Sequence, residues 1–274
     1  VAGTNVAAGS GSLRRLQGQG GWDNKTSSAN AGQDMTNLSI VIPARNEAGN
    51  ILALVDEIDA ALAGHSPFEI IVVDDGSTDA TAAVLTERIQ TLPHLRLIRH
   101  NRPGGQSAAV HTGVLAARAR IILTLDGDGQ NPPIELPKLA APLLADATGR
   151  VGLVAGQRVG RQDTWSKKTA SKLANILRGW MLRDGTRDTG CGLKGFRRDA
   201  FLALPYFDHM HRYLPALFVR DGWKIVHVDV THRARGVGQS NYSNLQRSIV
   251  GVPDLLGVVW LSRRRKKARP LDPE

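Results

Sequence analysis

Asp126 and Asp128, separated by Gly127, follow directly on the apolar run Ile121–Leu125. Residues i and i+2 of a short extended stretch face the same way, so the two carboxylates can converge on one point. Two carboxylates leave most of an octahedral Mg²⁺ or Mn²⁺ shell to water and diphosphate oxygens. A cation there would offset the charge that builds on a departing nucleoside diphosphate. An isolated Asp-x-Asp has a simpler reading, an acidic turn that caps the next helix. Two other apolar runs with polar exits argue against it: Leu38–Ile42 enters Pro43-Ala44-Arg45-Asn46-Glu47, and Glu69–Val73 enters Asp74-Asp75-Gly76-Ser77. Three such exits meet on one edge of a parallel sheet, the edge where open α/β folds bind ligands. Asp74 and Asp75 are candidates for hydrogen bonds to a base or ribose, with ordinary turn chemistry as their alternative. Glu47 is a further site candidate, although a carboxylate at a helix start is favourable on electrostatic grounds alone. The combination reads as a nucleotide-sugar site.

Basic side chains in the second half suit the same ligand. Arg235-Gly236-Val237-Gly238-Gln239-Ser240 follows a strand-like run and is flexible enough to fold over phosphates. Arg235 would supply a charge-assisted fork and Ser240 a short hydrogen bond. Arg212 stands between His211 and Tyr213 in a mostly apolar run, where a guanidinium needs either a surface position or an anionic partner. Other chemistries lack their signatures. Neither Gly76 nor Gly104-Gly105 gives a G-x-G-x-x-G spacing, and no P-loop or G-x-S-x-G elbow occurs. The eight histidines show no zinc-ligand spacing, and the single cysteine, Cys191, excludes an internal disulfide.

The residues around these motifs alternate strand and helix. Strands are expected at Leu38–Ile42, Glu69–Val73, Leu95–Arg99, Ile121–Leu125 and Val151–Ala155. Helices are expected at about Glu47–Ala63, Thr78–Ile89 (with Asp79 at its positive end), Gln106–Ala117, and from the Pro132-Pro133 loop to about Ala147. This order predicts an α/β fold with a mostly parallel central sheet flanked by helices. Later, Trp165–Arg183 and parts of Phe201–Val219 read as helical, with Pro205 and Pro215 dividing the second stretch, and Lys224–Val230 as a strand.

At 274 residues the chain can bury a full core. Residues 1–34, rich in Gly, Ser, Asn and Gln, read as a disordered leader or an added extension before Met35. A catalytic domain is expected over 35–244 and an amphipathic segment with a basic tail over 245–274. The formal charge is +10, and residues 262–274 hold six basic side chains against Asp272 and Glu274, a net +4. The thirteen residues Ile249–Leu261 are too few to cross about 30 Å of hydrocarbon. They could lie in a membrane interface, with Trp260 at headgroup level, the turn Val258–Leu261 as a short anchor and the basic cluster on anionic lipid. In that reading Val252 and Leu255 belong to the core. Nucleic acid is the lesser candidate, since no aromatic platform accompanies the charge.

The chain resembles the family 2 glycosyltransferases, in particular the polyprenyl-phosphate branch with dolichyl-phosphate mannosyltransferases and bacterial undecaprenyl-phosphate sugar transferases. The resemblance runs from about Ser39 to Trp260. It is carried by Ile42-Pro43-Ala44-Arg45-Asn46-Glu47, the segment 72–79, Asp126-Gly127-Asp128-Gly129-Gln130-Asn131-Pro132-Pro133, the segment 190–198, and Arg235-x-x-Gly238-x-Ser240-x-Tyr242. It implies a GT-A-like fold, a Mg²⁺- or Mn²⁺-dependent enzyme, a nucleotide-sugar donor (GDP-mannose or a UDP-sugar) and a polyprenyl phosphate acceptor. It places Pro43, Glu47 and Asp75 in the nucleotide pocket and Asp126, Asp128 and Gln130 at the metal-diphosphate position. Arg212, Arg235 and Ser240 would hold phosphates. Two positions depart from the family: Arg45 stands where many members have tyrosine, and Asn241 where lysine is frequent. The implied protein is a short form at the cytoplasmic face of the membrane, bound to its anionic surface or held by a membrane-protein partner. The implied reaction is direct displacement with inversion. Rival readings are transfer to a saccharide hydroxyl, nucleotidyl transfer, and a non-catalytic nucleotide-binding protein on membranes.

Overall fold

The computed structural model describes residues 36–159, 178–179, 181–233 and 244–264. The first strands and helices arise from runs with two distinct periods. In β1 (Leu38–Ala44), Ile40 and Ile42 face one side of the sheet and Val41 the other. β2 (Phe68–Asp74) repeats this with Ile70 and Val72 against Ile71 and Val73, and β4 (Ile121–Thr124) with Leu123 against Ile122. Both faces are apolar, so helices must cover both.

On one face α1 (Ile51–Leu62) buries Leu54, Val55 and Ile58, joined by Leu85 of α2 (Thr81–Ile89) and Leu139 of α4 (Leu136–Leu144). On the other, α3 (Gln106–Ala116) and the later helices α5 (Arg198–Leu202) and α6 (Leu214–Arg220) contribute Val110, Phe201 and Leu217. Each fully buried aliphatic side chain stabilises the fold by about 1.5–3 kcal/mol relative to exposure.

The sheet has seven strands in the order β3-β2-β1-β4-β6-β5-β7, with β3 at Leu95–Arg99, β5 at Val151–Arg158, β6 at Lys194–Arg197 and β7 at Lys224–Val230. All pairings are parallel except those of β6, which runs antiparallel to both β4 and β5. The first three strands build outward from β1 on one side, and β4 then joins on the other. The strand order therefore reverses between β1 and β4, which opens a crevice at their carboxyl ends.

The expected α/β architecture is present, with differences that have local causes. α1 begins at Ile51 rather than Glu47, because Glu47 sits in a turn whose N–H donates to Thr81 Oγ1. α2 begins at Thr81, whose N–H donates to Asp79 Oδ1, so Asp79 does hold the helix start. Pro215 does not divide a helix; it lies in the first turn of α6, where its missing N–H costs nothing. β6 was not expected, since Lys-Gly-Phe-Arg has no alternating apolar pattern. It fits because Gly195 lets α4 approach: a Cβ there would lie 3.1 Å from Leu139 O. Of the expected helix Trp165–Arg183, residues 178–179 and 181–182 are described and helical, Arg183 has left the helix with φ 52°, and residues 165–177 and 180 lie outside the described residues. A final helix, α7 (Asn244–Arg263), packs on α6, with Arg220 Nε donating to Leu261 O at 3.0 Å.

Candidate active site

The turn after β4 delivers Asp126 and Asp128 to a cavity of about 710 Å³ at the crevice. Pro43, Arg45 and Glu47 enter it from the exit of β1, Asp75 from the exit of β2, and Gln130 from the same turn as the aspartates. Arg158, at the end of β5, and Lys194, at the start of β6, form a cationic wall beside them. Arg212 arrives from the short 3₁₀ turn Met210–Arg212, together with His211.

Asp126 is held from three sides. Gln106 Nε2, on the first residue of α3, donates to its Oδ1 at 2.7 Å, and Asn131 Nδ2 to its Oδ2 at 3.3 Å. On the third side Gly192 packs so close that a Cβ would lie 2.3 Å from Oδ2, so a side chain there would displace the carboxylate. Enclosure by these walls pushes the Asp126 carboxyl above the ordinary aspartate value; the neighbouring Asp128 charge adds to this, and Lys194 opposes it. Two adjacent carboxylates of this kind suit a divalent cation. Among the described residues no third His, Cys, Asp or Glu completes a cluster with them. The protein would thus provide two carboxylates, and the remaining positions would fall to water and ligand oxygens.

Three other ionisable groups are occupied. Arg158 forks onto Asp188, with Nε–Oδ2 at 2.5 Å and Nη2–Oδ1 at 2.8 Å. Lys194 is buried, which lowers its pKa, and its Nζ donates to Cys191 O. His211 Nδ1 pairs with Ser107 Oγ at 2.8 Å, and burial holds the imidazole well below its usual pKa, so it stays neutral.

Not every expected residue serves the cavity in the expected way. Asp74 does not line it. The side chain is buried beneath the turn, where Oδ1 accepts from Ser77 N–H at 2.9 Å and Oδ2 lies 3.4 Å from Arg99 Nε. Its neighbour in sequence points the other way, as alternation requires. Asp75 reaches the cavity, but its oxygens already brace the next loop: Gly104 and Gly105 N–H donate to Oδ1 and Oδ2 at 2.7 and 2.8 Å, and His100 Nδ1 lies 2.7 Å from Oδ1. Arg235 and Ser240 lie outside the described residues. Arg158 escaped the sequence reading, although it stands at a strand exit like the others. Gln106 and Lys194 carried no such signal.

The profile of glycosyl transferase family 2 matches residues 39–204. The chain belongs to glycosyl transferase family 2. The family match spans β1 to the end of α5 and takes in Glu47, Asp75, both site aspartates and Lys194, while Arg212 lies beyond it. Among relatives, the dodecaprenyl-phosphate galacturonate synthase of Rhizobium johnstonii is 35% identical over 238 residues, covering 85% of this chain and 69% of that one. The undecaprenyl-phosphate 4-deoxy-4-formamido-L-arabinose transferase of Pectobacterium carotovorum is 35% identical over 215 residues, covering 78% and 64%. The chain thus spans about two thirds of the length of these family 2 relatives. Glucosyl-3-phosphoglycerate synthase from Mycobacterium tuberculosis, solved with Mn²⁺, UDP and glucosyl-3-phosphoglycerate, superposes with a TM-score of 0.62 at 21% identity, covering 83% of this chain and 80% of that one. The fold is therefore GT-A-like, a mixed sheet flanked by helices.

Proposed function

We propose that this family 2 protein is a metal-dependent, inverting glycosyltransferase that moves a sugar from a nucleotide-sugar donor to a polyprenyl phosphate. The observation that carries the reading is the Asp126–Asp128 pair at the reversal of strand order, facing a cavity with Arg158, Lys194 and Arg212 in its wall. The names of the two relatives, both polyprenyl-phosphate sugar enzymes, support the acceptor class. The Mn²⁺ and UDP bound to the Mycobacterium enzyme are consistent with the cofactor and with a UDP-sugar; GDP-mannose is the other candidate.

Asp126 and Asp128 would hold Mg²⁺ or Mn²⁺, which when bound neutralises charge on the leaving nucleoside diphosphate. Pro43, Glu47 and Asp75 lie toward β1 and β2, where the nucleoside would rest, so the sugar points toward the wall at β6 and β5. An acceptor phosphate oxygen attacks the anomeric carbon as the bond to the diphosphate breaks, and the configuration inverts. Arg212, and Arg235 and Ser240 from the later loop, would neutralise and orient the phosphates. A phosphate is already anionic near neutral pH, so placement and charge stabilisation can supply the catalysis. The ion-paired state of Asp188 and the lowered basicity of His211 fit a reaction with no dedicated base.

The same reading places the protein on an anionic membrane at its cytoplasmic face. No helix among the described residues is long and apolar enough to cross a membrane. α7 instead exposes Val252, Leu256 and Trp260 at 59%, 57% and 59%, a stripe at i, i+4 and i+8. Its inner side is Val258, buried, with Leu255 and Val259 against the core. This reverses part of the expectation: Val252 is outside and Val258 is inside. Arg263 and Arg264 close the stripe, suiting an interfacial helix.

The test is a panel of UDP- and GDP-sugars with a polyprenyl phosphate and Mg²⁺ or Mn²⁺, read by mass for the glycosyl-phosphate lipid. Product from one donor class, lost in Asp126→Asn, is expected. Transfer only to saccharide hydroxyls, or none with any donor, would overturn the proposal.

A further inference from the structure

The chain that leaves β7 is fastened to the turn carrying the two site carboxylates. Thr231 donates to Glu135 Oε1 through both its N–H, at 3.2 Å, and its hydroxyl, at 2.8 Å. Two residues on, Arg233 N–H donates to Gln130 O at 3.1 Å. Its guanidinium Nε donates to Gly129 O, and Nη1 lies 2.9 Å from Glu57 Oε2 on α1. One side chain thus bridges α1 and the carbonyl of Gly129, the residue that follows Asp128, while the Arg233 main chain holds Gln130.

That backbone needs an external hold. Gly129 has φ +71°, in the left-handed region that glycine enters and leaves freely. Rotation there would swing the Asp128 carboxylate relative to Asp126. A planar, permanently charged group that grips a carbonyl and a carboxylate at once restricts such rotation. Arg233 is not part of the cavity wall, so it acts through the turn and not on the ligand.

We propose that Arg233 is a positioning residue for the Asp126–Asp128 cation site, fixing the Gly129-Gln130 backbone against Glu57 so that Asp128 points at the bound cation. The inference rests on the cation reading given above. The rival role is an exposed ion pair that only supports α1. Arg233 and Glu57 are each about two-fifths exposed, and pairs of that kind contribute little to stability.

The two roles separate when Mn²⁺ binding, followed by electron paramagnetic resonance with UDP or GDP present, is measured beside thermal unfolding. Arg233→Ala should weaken Mn²⁺ binding about 10-fold, the scale of lost support around a metal ligand, with little change in Tm. Arg233→Lys should be intermediate, because an ammonium reaches the carbonyl or the carboxylate without the fork. The decisive variant exchanges the charges, Glu57→Arg with Arg233→Glu. It restores the ion pair but leaves no donor for Gly129 O, so Tm should match the wild type while Mn²⁺ binding stays weak. Full Mn²⁺ affinity in the exchanged pair, or in Arg233→Ala, would overturn the positioning role. Should Arg233→Ala fold too poorly to assay, Arg233→Lys and the exchanged pair decide the matter. Wild-type protein that binds Mn²⁺ no better than Asp126→Asn would instead remove the cation site itself, and the positioning role with it.

Discussion

The carboxylate of Asp254, on the helix with the exposed apolar stripe, lies 3.3 Å from Nδ1 of His209, two residues before the cavity histidine His211. The helix with the exposed stripe is thereby tied to the segment that carries Arg212. His209 adopts a left-handed φ of 63°, so this segment is held in an uncommon backbone conformation beside the contact.

Loss of that contact should be felt at the acceptor. Asp254→Ala removes an interaction on the order of 1 kcal/mol, a factor of roughly five in an equilibrium. We expect a higher KM for polyprenyl phosphate with an unchanged KM for the donor. Equal changes in both constants would show that Asp254 supports only the general fold.

Removal of either site carboxylate should stop turnover. Asp126→Asn and Asp128→Asn are each expected to lose about 100-fold or more in kcat, since the described residues would offer only these two carboxylates to the cation. Asp126→Asn should also stabilise the metal-free protein. A carboxyl whose folded pKa is raised makes stability fall as pH rises from the ordinary aspartate value through the raised one. Differential scanning calorimetry without divalent ions should show a Tm higher by roughly 2 °C near neutral pH, and a lower Tm would contradict the electrostatic account.

The neutral His211 predicts an acid limb of stability. Its folded pKa lies well below 6.5, so the unfolded chain takes up the proton first, and stability declines as pH falls below about 6.5. His111 and His227 shift in the same direction and share the effect. His211→Gln should therefore flatten the decline without abolishing it. Urea unfolding between pH 7.5 and 5 measures this, and an unchanged pH slope would argue against a buried neutral imidazole.

Membrane binding should depend on two separable parts of α7 and the tail. Leu256→Ser with Trp260→Ser removes the apolar stripe and should weaken flotation with anionic liposomes at every salt concentration. Reversal of Arg263, Arg264, Arg265, Lys266 and Lys267 to Glu should abolish only the salt-sensitive part, since each basic residue near an anionic surface contributes about 1 kcal/mol. Flotation indifferent to both sets of changes would leave a membrane protein as the partner.

Much of this protein could be read along the chain because its signals are local. The apolar runs at Leu38–Ile42 and Glu69–Val73 are short, rich in β-branched residues and bounded by polar exits, which marks them as strands buried on both faces. Their polar exits follow directly, so the cavity-lining Pro43, Glu47, Asp75, Asp126 and Asp128 are legible along the chain. The tertiary structure decided what depends on distance in space. Lys-Gly-Phe-Arg became a strand because β4 and β5 flank it, not because of its own pattern. Asp74 and Asp75 have identical side chains and adjacent positions, yet the pleat turns one beneath the turn and one toward the cavity. Gln106 meets Asp126 across 20 residues, and Arg233 meets Glu57 across 176. Such pairs have no periodicity to betray them: a side chain's type and neighbours state what it can bond, and only the packed fold states what lies within 3 Å of it.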